Sequence, residues 1–344
     1  MPIRVGINGF GRIGRQVLRA AQKQDGRLGA ADLEFVAVND LTDTRTLAHL
    51  FKYDSVHRTY PGPVEAGERH IDIDGRQIAI LAERDPAKLP WGDLGVDVVL
   101  ESTGRFTDGD RARAHLAAGA RKVIVSADAA GADLTVVIGV NEERYDPSAH
   151  QVISNASCTT NCLVPMIAVL RDAFGFARGT LVTVHSYTND QQLLDAPHRD
   201  LRRARAAAMS MIPTTTGATR AAVRVLPELE GRLGGLSVRV PTPDVSMAIL
   251  VADVERATTV ETVNAAFRAA AAEALRGVLR VAGEPLVSSD YIGDAHSCVV
   301  DALSTDVVDG TQVRAVGWYD NEWGYASRCV DLLRVVGAGL GDRP

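Results

Sequence analysis

Cys158 stands in "SNASCTTNCLVP" (154–165), between small polar residues, where an apolar run begins. The spacing predicts a helix over 158–174 with this cysteine at its start. The unpaired N–H groups and dipole of a helix N-terminus stabilise a thiolate, lowering a thiol pKa from about 8.5 toward roughly 3.5–7.5. Cys162, one turn further in, reads as a small buried hydrophobe facing the core. Zinc is disfavoured, because C-x3-C lacks a second pair at metal spacing and the histidines are scattered, so the expected metal complement is none. A thiolate nucleophile needs a base, and His185 in the strand-like "LVTVHSYT" is the best candidate. Ser186, Thr188 and Asp190 follow it, then Arg199, Arg202, Arg203 and Arg205 in "HRDLRRARAA". Four arginines this close can be a solvated helix face. Beside the hydroxyl-rich "PTTTG" (213–217) and Arg239 they can equally form an anion pocket. Taken alone, these residues leave Cys158 open between a reactive thiol and a member of the core.

A second cluster lies near the N-terminus. "GINGFGRIGR" contains Gly9-x-Gly11-x-x-Gly14, directly after a strand pattern and opening a helical one. The first glycine permits a tight turn, the second lets backbone approach a pyrophosphate, and the third allows close packing of helix on strand. "VAVND" then places Asp40 at the end of the next strand, where a carboxylate bonds the adenine ribose hydroxyls of a dinucleotide.

The elements that must position these residues read as two domains. Short Val- and Ile-rich runs at 3–8, 35–40, 97–101, 122–126 and 135–138 alternate with helical patterns such as 11–24 and 108–118. That alternation implies a mostly parallel, doubly wound α/β sheet of Rossmann type. From about residue 155 the strands lengthen and take a period of two, in "GTLVTVHSYT", "LSVRVPTP", "VSMAILVADVE" and "TQVRAVGWYD". Asp309-Gly310 marks a hairpin turn before the last of them. Helices are expected over 213–230, 260–275 and 321–336. The expectation is a nucleotide-binding domain over 1–156, completed by a C-terminal helix within 321–344, and an α+β catalytic domain over 157–320 with a mixed, largely antiparallel sheet.

The 344-residue chain is 46% hydrophobic and 23% charged, with net charge −6, which gives no general attraction to nucleic acid or to an anionic membrane. No apolar stretch reaches the roughly 18 residues of a membrane span. "MPIRVGINGFG" runs directly into a strand pattern, so no targeting peptide is expected before the fold. Four cysteines in this length do not suggest a disulfide framework, and the expected compartment is the cytoplasm.

The motifs "INGFGRIGR", "KYDSVH", "ERDP", "ESTGRF", "SNASCTTNC", "TVHSYTNDQ", "RRARAA", "PTTTGAT", "RVPTP" and "WYDNEWGY" occur in this order along essentially the whole chain. In them the chain resembles the phosphorylating glyceraldehyde-3-phosphate dehydrogenases. The resemblance implies an NAD-dependent oxidation of D-glyceraldehyde 3-phosphate to 1,3-bisphosphoglycerate with inorganic phosphate, in glycolysis or gluconeogenesis, by a homotetramer. It implies that Cys158 forms a thiohemiacetal and then a thioester, with His185 exchanging the proton. Ser157, Thr159, Thr216 and Gly217 match the site of the attacking phosphate. Thr188, Arg203 and Arg239 match the grip on the substrate's own phosphate. Arg12, Ile13, Asp40, Arg84, Ser126 and Asn321 match cofactor contacts, beside Gly9, Gly11 and Gly14. Leu41 and Pro197 stand where NADP-using relatives tend to carry small polar residues, which favours NAD. Two departures are visible: Arg220 replaces a common lysine, and "SADAAGADLT" (126–135) differs from the usual loop near the cofactor. The alternative is erythrose-4-phosphate dehydrogenase, a sister enzyme with the same Cys-His pair, against which Thr188 and Thr216-Gly217 argue.

Overall fold

The computed structural model describes residues 2–28 and 33–341. Met1 and 342–344, the ends of the expected first domain, lie outside the described residues. The chain divides into two compact units. One comprises the described residues up to Val136, Glu142–Ala156, and the chain from Ala326 onward; the other comprises Val137–Asn141 and Ser157–Tyr325. Residues 137–141, expected in the first domain, thus pack with the second unit.

The first unit runs β1 (Ile3–Asn8), α1 (Arg12–Leu28), β2 (Leu33–Asn39), α2 (Thr44–Lys52), a ribbon of β3 (Tyr53–Asp54) and β4 (Arg58–Thr59), then β5 (Val64–Ala66), β6 (His70–Ile73) and β7 (Arg76–Leu81). It continues with β8 (Val98–Glu101), α3 (Gly109–Ala112), α4 (Ala114–Ala117), β9 (Lys122–Val125), β10 (Leu134–Thr135) and β11 (Val152–Ser154). The nine-stranded sheet has the order β10-β11-β9-β8-β1-β2-β7-β6-β5. β1 pairs in parallel with β2 on one side and β8 on the other, so the chain reverses direction across the sheet at β1/β8. Ligands of open α/β sheets bind at the carboxyl ends of the strands at such a switch point. Every residue of β8 and β9 is buried, as in parallel strands covered on both faces, and each carries one buried charge at its end, Glu101 and Lys122.

Two expectations change here. The strand expected at 135–138 is only Leu134–Thr135. The helix expected at 108–118 is two short ones broken at Arg113. Gly109 of α3 presses so closely on the 131–132 backbone that a Cβ there would lie 2.3 Å from it.

The second unit contains α5 (Cys158–Phe174), β12 (Phe176–Ser186), β13 (Ile212–Thr214), α6 (Ala218–Val225), β14 (Leu233–Val240), β15 (Ser246–Val254), α7 (Val260–Ala272), β16 (Leu279–Ala282), β17 (Cys298–Asp301), β18 (Asp306–Val308) and β19 (Gln312–Tyr319). Its sheet has the order β13-β14-β12-β15-β19-β17-β16, with β18 on β19. The sheet is mixed: β12 is parallel to β14 and antiparallel to β15, and β15 and β17 are antiparallel to β19. β15 shows the period of two, with Ala248, Leu250 and Ala252 buried and Met247, Ile249 and Val251 half-buried on the other face. The Asp309-Gly310 turn has φ of 49° and 69°, the left-handed conformation that tight hairpins require.

The helix expected at 213–230 is much shorter. Ile212–Thr214 instead pairs as an edge strand with β14, and Pro227 opens a separate 3-10 turn after α6. The last helix is α8 (Trp323–Ala338), starting two residues later than expected, because the Asp320 carboxylate accepts the Glu322 and Trp323 N–H groups at 2.9 and 2.7 Å and caps it there. Near its end Gly337 lies against Ile3, where a Cβ would come within 2.3 Å of the side chain, so α8 seats closely on β1. Among the described residues no helix is long and apolar enough to cross a membrane.

Candidate functional site

α5 carries the central residue. It is buried almost all round, and only its N-terminal end meets the site. Ser157 caps it, its hydroxyl accepting the Thr160 N–H at 3.1 Å, so Cys158 is the first helical residue. Cys158 Sγ lies 3.5 Å from His185 Nε2 at the end of β12. His185 Nδ1 lies 2.7 Å from the Ser186 carbonyl, which can only accept, so Nδ1 carries the proton and Nε2 turns its lone pair to the sulfur. That is the arrangement of a base ready to take the thiol proton.

The electrostatics correct one expectation. Desolvation pushes the Cys158 thiol above its ordinary value, opposed by the Arg239 charge and the Thr159 N–H. Burial, helped by Arg239, pushes His185 down to about 3. The helix terminus therefore does not by itself produce a standing thiolate. Each group alone prefers its neutral form, and the charged pair is reached by moving one proton from Sγ to Nε2.

Tyr319 of β19 sets the depth of the site. Its hydroxyl lies 2.9 Å from both Thr159 Oγ1 and Thr183 Oγ1, and its ring meets the His185 ring edge-on at 6.0 Å. The Thr160 hydroxyl reaches the Ala218 carbonyl at 3.5 Å, which lays the N-termini of α5 and α6 side by side. The Thr216 hydroxyl accepts the Ala218 N–H at 3.1 Å, across Gly217, which stands at the N-terminus of α6. The hydroxyls of Ser157, Thr159 and Thr216 are thus all engaged in the protein, beside two helix ends whose dipoles favour an anion.

Thr188, Arg203 and Arg239 come together around a residue that the sequence reading did not place in the site. Asp190 accepts from the Thr188 hydroxyl and from Arg203 Nη1, while Arg239 Nη1 donates to Thr188 Oγ1 at 2.7 Å. Burial works to raise the Asp190 pKa, but these donors and the two arginines outweigh it and hold the carboxylate ionised. Its position between Thr188 and the arginine run was the signal available. Nothing local marks Tyr319, which is more than 130 residues from both threonines it joins. Cys162 is fully buried, as its spacing implies.

Asn321 also belongs to this unit. Its Oδ1 accepts from the Ser186 and Ser246 hydroxyls at 2.8 and 2.7 Å, which locks the amide and reserves its Nδ2 donors. Ser246 is a further supporting residue found only in the structure.

In the first unit, the turn after β1 fits a pyrophosphate. Gly9 has φ 94°, and a Cβ there would lie 2.6 Å from Thr103 N; at Gly14 it would lie 2.3 Å from the Gly9 carbonyl. At Gly11 it would meet nothing within 4 Å, so backbone is bare where a ligand can approach. Asp40 accepts the Phe10 N–H at 2.9 Å and the Thr42 N–H at 3.0 Å, which holds its carboxylate beside the turn. The Arg12 guanidinium pairs with Asp54 at 3.2 Å. It is therefore the backbone of Arg12 and of half-buried Ile13, in the first turn of α1, that a phosphate can meet. Ser126 follows β9, donating its N–H to the Glu101 carbonyl at 2.9 Å, and Arg84 is exposed beyond β7.

Comparison with known proteins identifies the family. The profile of the glyceraldehyde 3-phosphate dehydrogenase NAD binding domain matches residues 3–109, and that of the C-terminal domain matches 157–321. The chain is similar to glyceraldehyde-3-phosphate dehydrogenase of Geobacillus stearothermophilus, 58% identical over 336 residues covering 98% of each protein. It is 57% identical over 329 residues to glyceraldehyde-3-phosphate dehydrogenase 1 of Bacillus cereus, covering 96% of this chain and 97% of that one. Similarity of this extent, over both units and over the turn and the thiol site alike, shows that the chain belongs to the glyceraldehyde-3-phosphate dehydrogenase family.

Proposed function

We propose that this protein oxidises D-glyceraldehyde 3-phosphate with NAD and inorganic phosphate to 1,3-bisphosphoglycerate. The observation that carries the reading is the 3.5 Å approach of Cys158 Sγ to a His185 whose tautomer is fixed by Ser186. Cys158 attacks the aldehyde carbon as its proton passes to His185 Nε2, which returns it to the former carbonyl oxygen to give the thiohemiacetal. Bound NAD supplies the hydride acceptor. His185 takes the proton of the thiohemiacetal hydroxyl, and the product of oxidation is a Cys158 thioester. Arg239, Arg203 and Thr188 grip the substrate's phosphate. The paired ends of α5 and α6, with Ser157, Thr159, Thr216 and Gly217, hold the attacking phosphate in line and meet its entropy cost in advance. Gly9, Gly11, Gly14, Arg12, Ile13, Asp40, Arg84 and Ser126 bind the dinucleotide, and Asn321 Nδ2 orients the nicotinamide amide. The relatives named above carry the glyceraldehyde name, which does not favour the erythrose-4-phosphate alternative.

The reading places the work in the cytoplasm, with its pools of NAD and phosphate, and in a homotetramer. Leu193, Leu194, Leu201, Met209 and Met211 are 72–83% exposed within one segment, and the outer face of β15 is apolar, which supports burial against other copies. The test of the chemistry is to omit phosphate. Turnover is then expected to stall after a burst of about one NADH per active site, as the thioester accumulates. Steady NADH production without phosphate or arsenate, near the full rate, would mean that water resolves the thioester and would overturn the assignment.

A further inference from the structure

Beneath the first βα turn runs a buried polar chain that the function above does not use. Glu101, the last residue of β8, is 2% exposed, and His115 of α4 is fully buried. Glu101 Oε2 accepts from Asn8 Nδ2 at 2.6 Å and faces His115 Nε2 at 3.1 Å. Glu101 Oε1 accepts the Thr103 N–H and hydroxyl at 2.8 and 2.5 Å. Behind the ring, Trp91 Nε1 donates to His115 Nδ1 at 3.0 Å. An indole nitrogen only donates, so Nδ1 is the acceptor and the ring proton sits on Nε2, aimed at the carboxylate. Four donors thus converge on one buried side chain. A carboxylate in such a place is costly unless its lone pairs are filled, and removing one partner is more costly still.

What this group holds is the turn itself. Asn8 immediately precedes Gly9, and its Oδ1 accepts from Asn39 Nδ2 at 2.7 Å, while Asn39 Oδ1 accepts the Glu83 N–H at 2.8 Å. Thr103 is the wall against which Gly9 packs, 2.6 Å from where a Cβ would stand, and Ser102 Oγ donates to the Gly9 carbonyl at 2.7 Å. Glu101 therefore grips both strands of backbone between which the Gly9–Gly11 turn is clamped.

We propose that Glu101, backed by His115 and Trp91, is a positioning residue that fixes the pyrophosphate-binding turn and so sets the affinity for the dinucleotide. The proposal rests on the dinucleotide-binding reading above, and the residue acts only through Gly9 and Thr103. Glu101→Gln keeps the shape but turns an amide N–H toward the Asn8 and His115 donors. Val123→Ala, in the separate core behind β9, serves as a control for general destabilisation.

The experiment is calorimetric titration of each intact protein with NAD, with melting temperature and iodoacetamide labelling of Cys158 measured in parallel. Glu101→Gln is expected to raise the Kd and the KM for NAD at least tenfold, with kcat and the NAD-free labelling rate within about twofold of wild type. Val123→Ala is expected to melt lower with its Kd unchanged. If Glu101→Gln does not fold, Trp91→Phe is read in its place, since it releases the His115 tautomer; a several-fold weaker Kd supports the proposal and an unchanged one overturns it. Wild-type affinity in Glu101→Gln, or an equal loss in Val123→Ala, overturns the proposal alone. Failure of the wild-type protein to bind NAD overturns the functional reading and the proposal with it.

Discussion

Cys158 and His185 are each pushed toward neutrality, yet the chemistry needs a sulfur anion. Transfer of one proton across 3.5 Å makes both charges at once, so each offsets the burial cost of the other. Removing the imidazole leaves a thiol that burial alone pushes up. The pH midpoint of iodoacetamide labelling is therefore expected to lie higher in His185→Asn than in wild type. Turnover at neutral pH should fall roughly 10²–10⁴-fold. A midpoint that does not move would show that His185 takes no part in ionising the sulfur, and labelling of buried Cys162 before Cys158 would name the wrong nucleophile. Asp40 carries a second prediction at this scale. Its carboxylate is held beside the turn by the Phe10 and Thr42 N–H groups, where a 2′-phosphate would meet like charge. The expected kcat/KM is at least tenfold higher with NAD than with NADP, about 1.4 kcal/mol, and comparable values would overturn the preference.

α1 and its approach loop separate binding from stability. Gly11 has open space where a Cβ would stand, while Gly14 faces the Gly9 carbonyl at 2.3 Å. Gly11→Ala is thus expected to leave the melting temperature nearly unchanged and to weaken NAD at least tenfold, because the methyl occupies the line of approach. Gly14→Ala is expected to destabilise by about 1–3 kcal/mol as the backbone shifts. Thermal melts and NAD titrations of the two variants check this, and the reverse pattern would refute the placement of the phosphates. The same helix is tied down by Asp54. Burial works to raise the Asp54 pKa, but the His57 and Val56 N–H groups and Arg12 outweigh it and bring it from 3.8 to about 2. A carboxyl with a depressed folded pKa stabilises above its unfolded value and loses that contribution as pH falls between the two. Stability should accordingly drop between about pH 4 and pH 2 by about 2 kcal/mol more in wild type than in Asp54→Asn. Urea titrations across that range decide it.

The whole molecule is expected to be an assembly of four chains. The exposed Leu193, Leu194, Leu201, Met209 and Met211 side chains and the half-buried apolar face of β15 are apolar surface that association with other copies would bury. Leu201→Asp with Met211→Asp is expected to lower the sedimenting mass from four chains toward fewer, without loss of the Cys158–His185 pair within each. A wild-type protein that sediments as one chain at micromolar concentration would refute the assembly.

Local order along the chain was enough for much of this protein. Parallel strands buried on both faces write themselves as Val and Ile runs, so β1, β8 and β9 were legible, as were the glycine turn and the Asp309-Gly310 hairpin. The start of α5 at Cys158 was legible too, because Ser157 can cap and the apolar run begins there. Long-range packing decided the remainder. Whether Ile212–Thr214 is helix or edge strand depends on β14 being there to pair with it. Tyr319 and the Asn8–Glu101 pair acquire partners only when distant segments meet. The state of the Cys158 thiol is the sharpest case. A helix N-terminus is a local feature and argues for a thiolate, but desolvation depends on everything packed around the sulfur, and in the folded chain desolvation is the larger effect.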